Sequence, residues 1–153
     1  MPSAELGNSN ASAPLCREMV MAVPTASWFD PETERCMQRI VHAPDGVTDV
    51  VEDVLGLRSS RGHPAVEFTG DEGSSLSVAT DGRRAFLVWT DTLGETFRSV
   101  GCSGGPLLIF DYFGSWSEAN SDCLVPLNDA LDSVAQFLRT GKPDTATVVY
   151  LPD

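Results

Sequence analysis

The sequence predicts an α+β fold: a mainly antiparallel β-sheet packed with a helix in the N-terminal half and a C-terminal helix, with a final strand after it. Three observations point there. Short runs rich in β-branched and aromatic residues follow one another: HPAVEFTG, SLSVATDG, AFLVWTD, TFRSVG and LLIFDYFG. The Asp81-Gly82 pair between the second and third runs is a tight-hairpin signal, so neighbouring strands run antiparallel. Two other segments space their apolar residues by three and four, the period of an amphipathic helix.

Residues 1–35 read as an N-terminal extension ahead of a domain over 36–153. MPSAELGNSNASAP is small, polar and without periodicity, the composition of a disordered segment. MVMAVPTASWF is more apolar, but Pro24 and Pro31 bracket it, leaving a short edge strand or an added arm. CMQRIVHA is a strand, closed by the turn signal Pro44-Asp45-Gly46. In VTDVVEDVLGL, Val47, Val50, Val51, Val54 and Leu55 form a helical stripe. Thr48 is the expected N-cap, with Asp49 and Glu52 near the positive end of the helix dipole.

After the strand runs, Cys102 to Pro106 is a glycine-rich turn, LLIFDYFG is the most apolar strand, and SWSEANSD is a polar connection carrying Trp116. CLVP leads into the helix PLNDALDSVAQFLRTG, with Leu127, Ala130, Leu131, Val134 and Leu138 on its buried face. Gly141 suits the left-handed C′ position and Pro143 stops the helix resuming. TATVVYL closes the chain as a last strand.

At 153 residues the chain supports one hydrophobic core. It has 22 acidic and 10 basic residues, a formal net charge of -12, which repels phosphate backbones and argues against direct nucleic-acid binding. The same charge attracts and steers a basic partner protein. No apolar stretch reaches the roughly 18 residues of a membrane span. The stretch from Pro14 to Ala26 is broken by Arg17 and Glu18 and lacks a basic leader, so it is not read as a secretory signal. The four cysteines (Cys16, Cys36, Cys102 and Cys123) have no metal spacing. A cytoplasmic protein with free thiols and no cofactor or metal is expected.

The segment VGCSGGPLL differs by one letter from the nucleophile loop of chymotrypsin-like proteases, with Cys102 where that loop has Asp. A trypsin-like site forms between two β-barrels, and the chain after Ser103 is too short for the second. A serine nucleophile also needs an imidazole to take its proton, and nothing in the sequence aims His42 or His63 at Ser103. The segment reads as a tight turn. Phosphate-binding loops, dinucleotide fingerprints and zinc-hydrolase motifs are absent. The alternatives to a binding protein are a small hydrolase using Ser103 or Cys102, and an orphan interaction module.

From about residue 64 onward the order of pieces resembles the Imm1 family of bacterial immunity proteins. The pieces are Ser99-Val100-Gly101, Phe113-Gly114-Ser115-Trp116-Ser117-Glu118, Val125-Pro126, and Phe137-Leu138-Arg139-Thr140-Gly141-Lys142-Pro143. The last strand departs from the family in carrying Tyr150 where a Trp is usual, and the CSGGP turn replaces a charged loop. The resemblance implies a non-enzymatic inhibitor encoded beside a polymorphic toxin, often a nucleic-acid deaminase, that occludes the toxin's active site. Its partner would be a cognate toxin with a basic groove, and the free protein a monomer. Candidate toxin-binding residues are Asp111, Tyr112, Trp116, Glu118 and Asp122, at the end of the apolar strand and in the connection after it. Trp116 reads either as an aromatic anchor for the toxin or as a fold-holding residue that packs over the sheet. Asp71, Glu72, Asp81 and Asp91 are hairpin-end acids, read as solvated charges with an acidic rim as the alternative.

Overall fold

Period-two alternation in the strand runs produces a sheet with two unlike faces. In the computed structural model, which describes residues 23–42, 44–70, 73–101 and 104–153, the chain forms β1 (Thr25–Asp30), β2 (Arg35–Ile40), α1 (Asp45–Leu55), β3 (His63–Pro64) and β4 (Val66–Thr69). There follow β5 (Ser75–Thr80), β6 (Arg84–Thr90), β7 (Thr96–Val100), β8 (Leu108–Tyr112) and β9 (Ser115–Ala119). A 3-10 turn (Ser121–Cys123) leads to β10 (Val125–Pro126), α2 (Leu127–Thr140) and β11 (Val149–Pro152).

The large sheet runs β11-β7-β6-β5-β4-β1-β2, with every neighbouring pair antiparallel. A small sheet runs β3-β8-β9, with β3 parallel to β8. Phe68, Leu76, Val78 and Leu87 point from the large sheet towards Val50 and Val54 of α1 and Val134 and Phe137 of α2, forming the main core. Ala79 on the other face packs with Leu108, Phe110, Ala119 and Leu124, with Phe86 against them. The molecule is therefore three layers: helices, large sheet, small sheet. Full burial of a Phe or Leu side chain contributes about 1.5–3 kcal/mol, so the main core carries most of the stability.

The fold class agrees with the sequence reading, and four details differ. The segment before residue 36, expected as an edge strand or an added arm, supplies β1, which lies inside the sheet, paired with β2 from Thr25↔Ile40 to Asp30↔Arg35 and with β4 on its other side. Ala26 and Trp28 of β1 are core residues, and only residues 1–22 of the expected extension lie outside the described structure. α1 starts at Asp45 with Pro44 as N-cap, because Pro44-Asp45-Gly46 opens the helix instead of closing the strand. The polar stretch after Gly114 is partly the strand β9, whose polarity reflects its exposed position as an outer strand of the small sheet. On α2, Phe137 and Ser133 are fully buried, while Leu127, Leu131 and Leu138 are only partly so. Gly141 does adopt the left-handed C-cap, its N–H donating to the Phe137 carbonyl at 2.8 Å.

One junction explains the Ser99-Val100-Gly101 motif. The β6 edge changes partner along its length: β10 pairs with Arg84 and Ala85, and β7 with Val88 to Thr90. The Leu87 N–H falls at the changeover. Ser99, fully buried, accepts it at 3.0 Å and donates its hydroxyl to the Cys123 carbonyl at 2.7 Å. Gly101 donates to the Asp122 carbonyl at 2.8 Å, and a Cβ there would stand 1.7 Å from the Leu124 oxygen, so only glycine fits.

Candidate functional site

The β8–β9 hairpin turns through Phe113 and Gly114, whose φ values of 50° and 93° are both positive. That is the backbone of a two-residue hairpin loop that continues the strand twist. The ladder sets the faces. Leu108↔Ala119 and Phe110↔Ser117 point inward to the large sheet, while Ile109↔Glu118 and Asp111↔Trp116 lie on the outer side. Trp116 is 59% exposed, Ile109 41% and Leu107 39%, and Glu118 is exposed beside them. The result is an apolar strip with an acidic margin.

Asp111 shares that side but is fully buried. Its Oδ1 accepts the Gly114 N–H at 2.8 Å, which holds the hairpin turn. Arg61 covers it, with Nη2 donating to Oδ2 at 3.3 Å and Nε lying 3.3 Å from Oδ1. Arg61 can reach because Gly62 lies directly against β8. A Cβ at Gly62 would come within 2.6 Å of the Ile109 oxygen, and its φ is +90°. His63 is occupied nearby, its Nδ1 2.7 Å from the Leu57 carbonyl.

Tyr112 points the other way, at the mouth of a slot of about 90 Å3 between the two sheets. Ala79, Phe86, Val88 and Phe110 give the slot an apolar lining, and Ser77 and Ser117 add hydroxyls. The Tyr112 phenol is bonded to the Ser77 side chain and lies near Glu67. Burial, and then the Glu67 carboxylate, push its pKa up, while the Ser77 bond pulls against them. Asp122 is exposed in the 3-10 turn beyond β9, its Oδ1 3.6 Å from the Cys123 sulfur. Burial raises the Cys123 thiol pKa, Arg98 opposes it and Asp122 adds to it, the opposite of an activated thiolate.

The structure thus gathers Asp111, Trp116 and Glu118 on one side of the hairpin, with Tyr112 on its reverse and Asp122 further along. Cys102, Ser103, Asp71 and Glu72 lie outside the described residues. Among the described residues, no cluster of His, Cys, Asp and Glu could hold a metal ion, and no helix is long and apolar enough to cross a membrane. Sequence reading missed Leu107, Ile109, Glu67 and Arg61. The outward Ile109 was hidden because LLIFDYF reads as uniformly apolar, although its pairing with the SWSEA run would have exposed it.

The class that this fold and surface define is a small antiparallel α+β domain with a solvent-facing aromatic hairpin. The family model for immunity protein Imm1 matches residues 37–150, and the chain belongs to that family. It is thus an immunity protein, whose partner class is a toxin. Compared with curated proteins, the chain finds no match.

Proposed function

We propose that this protein neutralises a cognate bacterial toxin by binding over its active site, and that the toxin acts on nucleic acid, as deaminase toxins do. The observation that carries this reading is the exposed Leu107–Ile109–Trp116 strip beside Glu118 on an otherwise strongly acidic chain. An exposed aromatic with apolar neighbours is the composition of an interface centre, and acids around it suit a polar rim. A nucleic-acid-acting toxin carries a basic groove for phosphates, which an acidic body of net charge -12 can fill. Charge complementarity also speeds association, which matters for an inhibitor that must capture every free toxin molecule.

In this reading Trp116 and Glu118 touch the toxin, Tyr112 and Asp122 flank the contact, and Asp111 positions the hairpin without touching it. The protein performs no reaction itself, acts in the cytoplasm of the producing cell and is a monomer when free. The test is co-expression with toxin-like genes encoded beside this one. Protection of the cells, and a stable complex of the purified pair, are expected; failure to protect against any of them overturns the proposal. Labelling with a fluorophosphonate and with iodoacetamide checks the chemical alternative, and rapid selective modification of Ser103 or Cys102 would favour a hydrolase.

A further inference from the structure

The slot beneath Tyr112 is separate from the Trp116 strip, and its geometry specifies an occupant. At about 90 Å3 it is far below the roughly 300 Å3 or more of a small-molecule or cofactor pocket. It has the size of part of one side chain. Its floor and walls are apolar and aromatic, through Ala79, Val88, Phe86 and Phe110. Its polar lining is the Ser77 and Ser117 hydroxyls and the Tyr112 phenol, and the Glu67 carboxylate stands outside that lining. On the outer face of the large sheet the ladder places Ser27, Glu67, Ser77 and Val88 in one cross-strand row, so Glu67 stands one strand from the slot-lining Ser77. Glu67 is half-buried, and among the described residues no basic side chain pairs with it.

We infer that this slot receives one arginine side chain of the toxin, its aliphatic stem packed on Val88 and Phe86 and its guanidinium set between the Tyr112 ring and the Glu67 carboxylate. An apolar slot with a carboxylate one strand beyond its Ser77 wall suits a side chain with an apolar stem and a cationic head that reaches past the slot. The flat guanidinium stacks on aromatic rings and pairs with carboxylates in two-point fashion, which an ammonium does not do. The inference rests on the proposed function and deepens it: arginines in a nucleic-acid groove hold phosphates, and Glu67 would take the phosphate's place.

Two arms test it. The first needs no toxin. N-acetyl-arginine methylamide is titrated into the isotope-labelled protein at low salt, with the uncharged citrulline analogue as control. The arginine compound is expected to shift the amides of Ser77, Val88 and Tyr112 in a saturable way, the citrulline analogue is not, and Glu67→Gln removes the response. Absence of shifts, or equal shifts with citrulline, overturns the inference. In the second arm, Glu67→Gln is expected to weaken toxin binding about tenfold or more, with Tyr112→Phe retaining most affinity because the ring remains. If the wild type protects cells and Glu67→Gln binds equally well, the slot inference falls while the immunity reading stands. If the wild type fails to protect, the immunity reading falls, and the first arm still decides whether the slot takes an arginine.

Discussion

Asp111 and Trp116 face each other across the β8–β9 ladder, yet Asp111 is wholly buried and Trp116 is 59% exposed. The difference comes from Arg61, which folds over the carboxylate from the loop before β3 and leaves the indole uncovered. The two residues should therefore respond in opposite ways. Asp111→Ala leaves the Arg61 guanidinium without its counter-ion and the Gly114 N–H without an acceptor. Breaking a buried pair by removing one partner costs about 3–5 kcal/mol, so denaturant unfolding should shift by that order. Trp116→Ala removes little from the core, and its melting temperature should stay close to wild type. Its toxin affinity should fall by about 2 kcal/mol or more, the size of an interface hot spot, read by titration calorimetry.

The junction at Ser99 is the second place where one side chain supports several elements. Ser99→Ala leaves the buried Leu87 N–H without its acceptor and the Cys123 carbonyl without its donor. Each unsatisfied buried group costs about 1–3 kcal/mol, so a loss of a few kcal/mol in urea unfolding is expected. Amide exchange of Leu87 should also accelerate. Gly101→Ala should be worse, because its methyl would overlap the Leu124 carbonyl. Failure to accumulate in soluble form is the expected outcome.

Local pattern made some of this legible and long-range pairing hid the rest. Strands β4 to β7 and both helices were readable because alternation, helical spacing and the Asp81-Gly82 turn are properties of neighbouring residues. The small sheet was not. β3 is only His63–Pro64, and it joins β8 through parallel pairing across more than forty residues of chain, which no local signal encodes. The same holds for Asp111. An acid inside an apolar strand is either solvent-facing or paired, and Arg61, fifty residues earlier, decides between them. Trp116 and Glu118 were legible as candidates because a strand at the sheet margin keeps its polar composition. The slot was not, since it arises only when Ser77 of β5 meets Phe110 and Tyr112 of β8.

Asp81 should shape the acid limb of stability. Its Oδ1 accepts the N–H groups of Arg83 and Arg84, both at 2.9 Å, and its Oδ2 lies 3.3 Å from the Arg84 guanidinium. Burial is the largest single influence and pushes its pKa up. The backbone bonds from Arg84 and Arg83 and the Arg84 side chain together outweigh it, and the net pKa is lowered from 3.8. A lowered carboxylate pKa stabilises the fold above the unfolded value, and that contribution is lost as pH falls through the folded one. Asp81→Asn should be less stable than wild type at neutral pH, and the gap should narrow as the pH drops below about 4. Thermal melts across that range check it.

Tyr150 should govern the opposite limb. Its hydroxyl is 2.8 Å from the Ser133 oxygen, and its ring meets Trp89 edge-on at 6.0 Å. Burial, reinforced by Asp144 and opposed by the Ser133 bond, pushes its pKa from 10.0 up to about 12. The folded protein therefore holds this proton where the unfolded chain releases it. The stabilisation is complete below pH 10 and drains away as pH rises through about 12, amounting to roughly 2–3 kcal/mol for a shift of that size. Tyr150→Phe keeps the ring against Trp89 and removes the ionisation, while Ser133 retains the Asp144 carbonyl as acceptor. The variant should be slightly less stable than wild type at neutral pH, by about 1 kcal/mol. From about pH 11 upward the order should reverse, with the wild type unfolding at lower denaturant than Tyr150→Phe. Parallel slopes for the two proteins between pH 10 and 12 would show that the buried phenol is not what limits the alkaline fold.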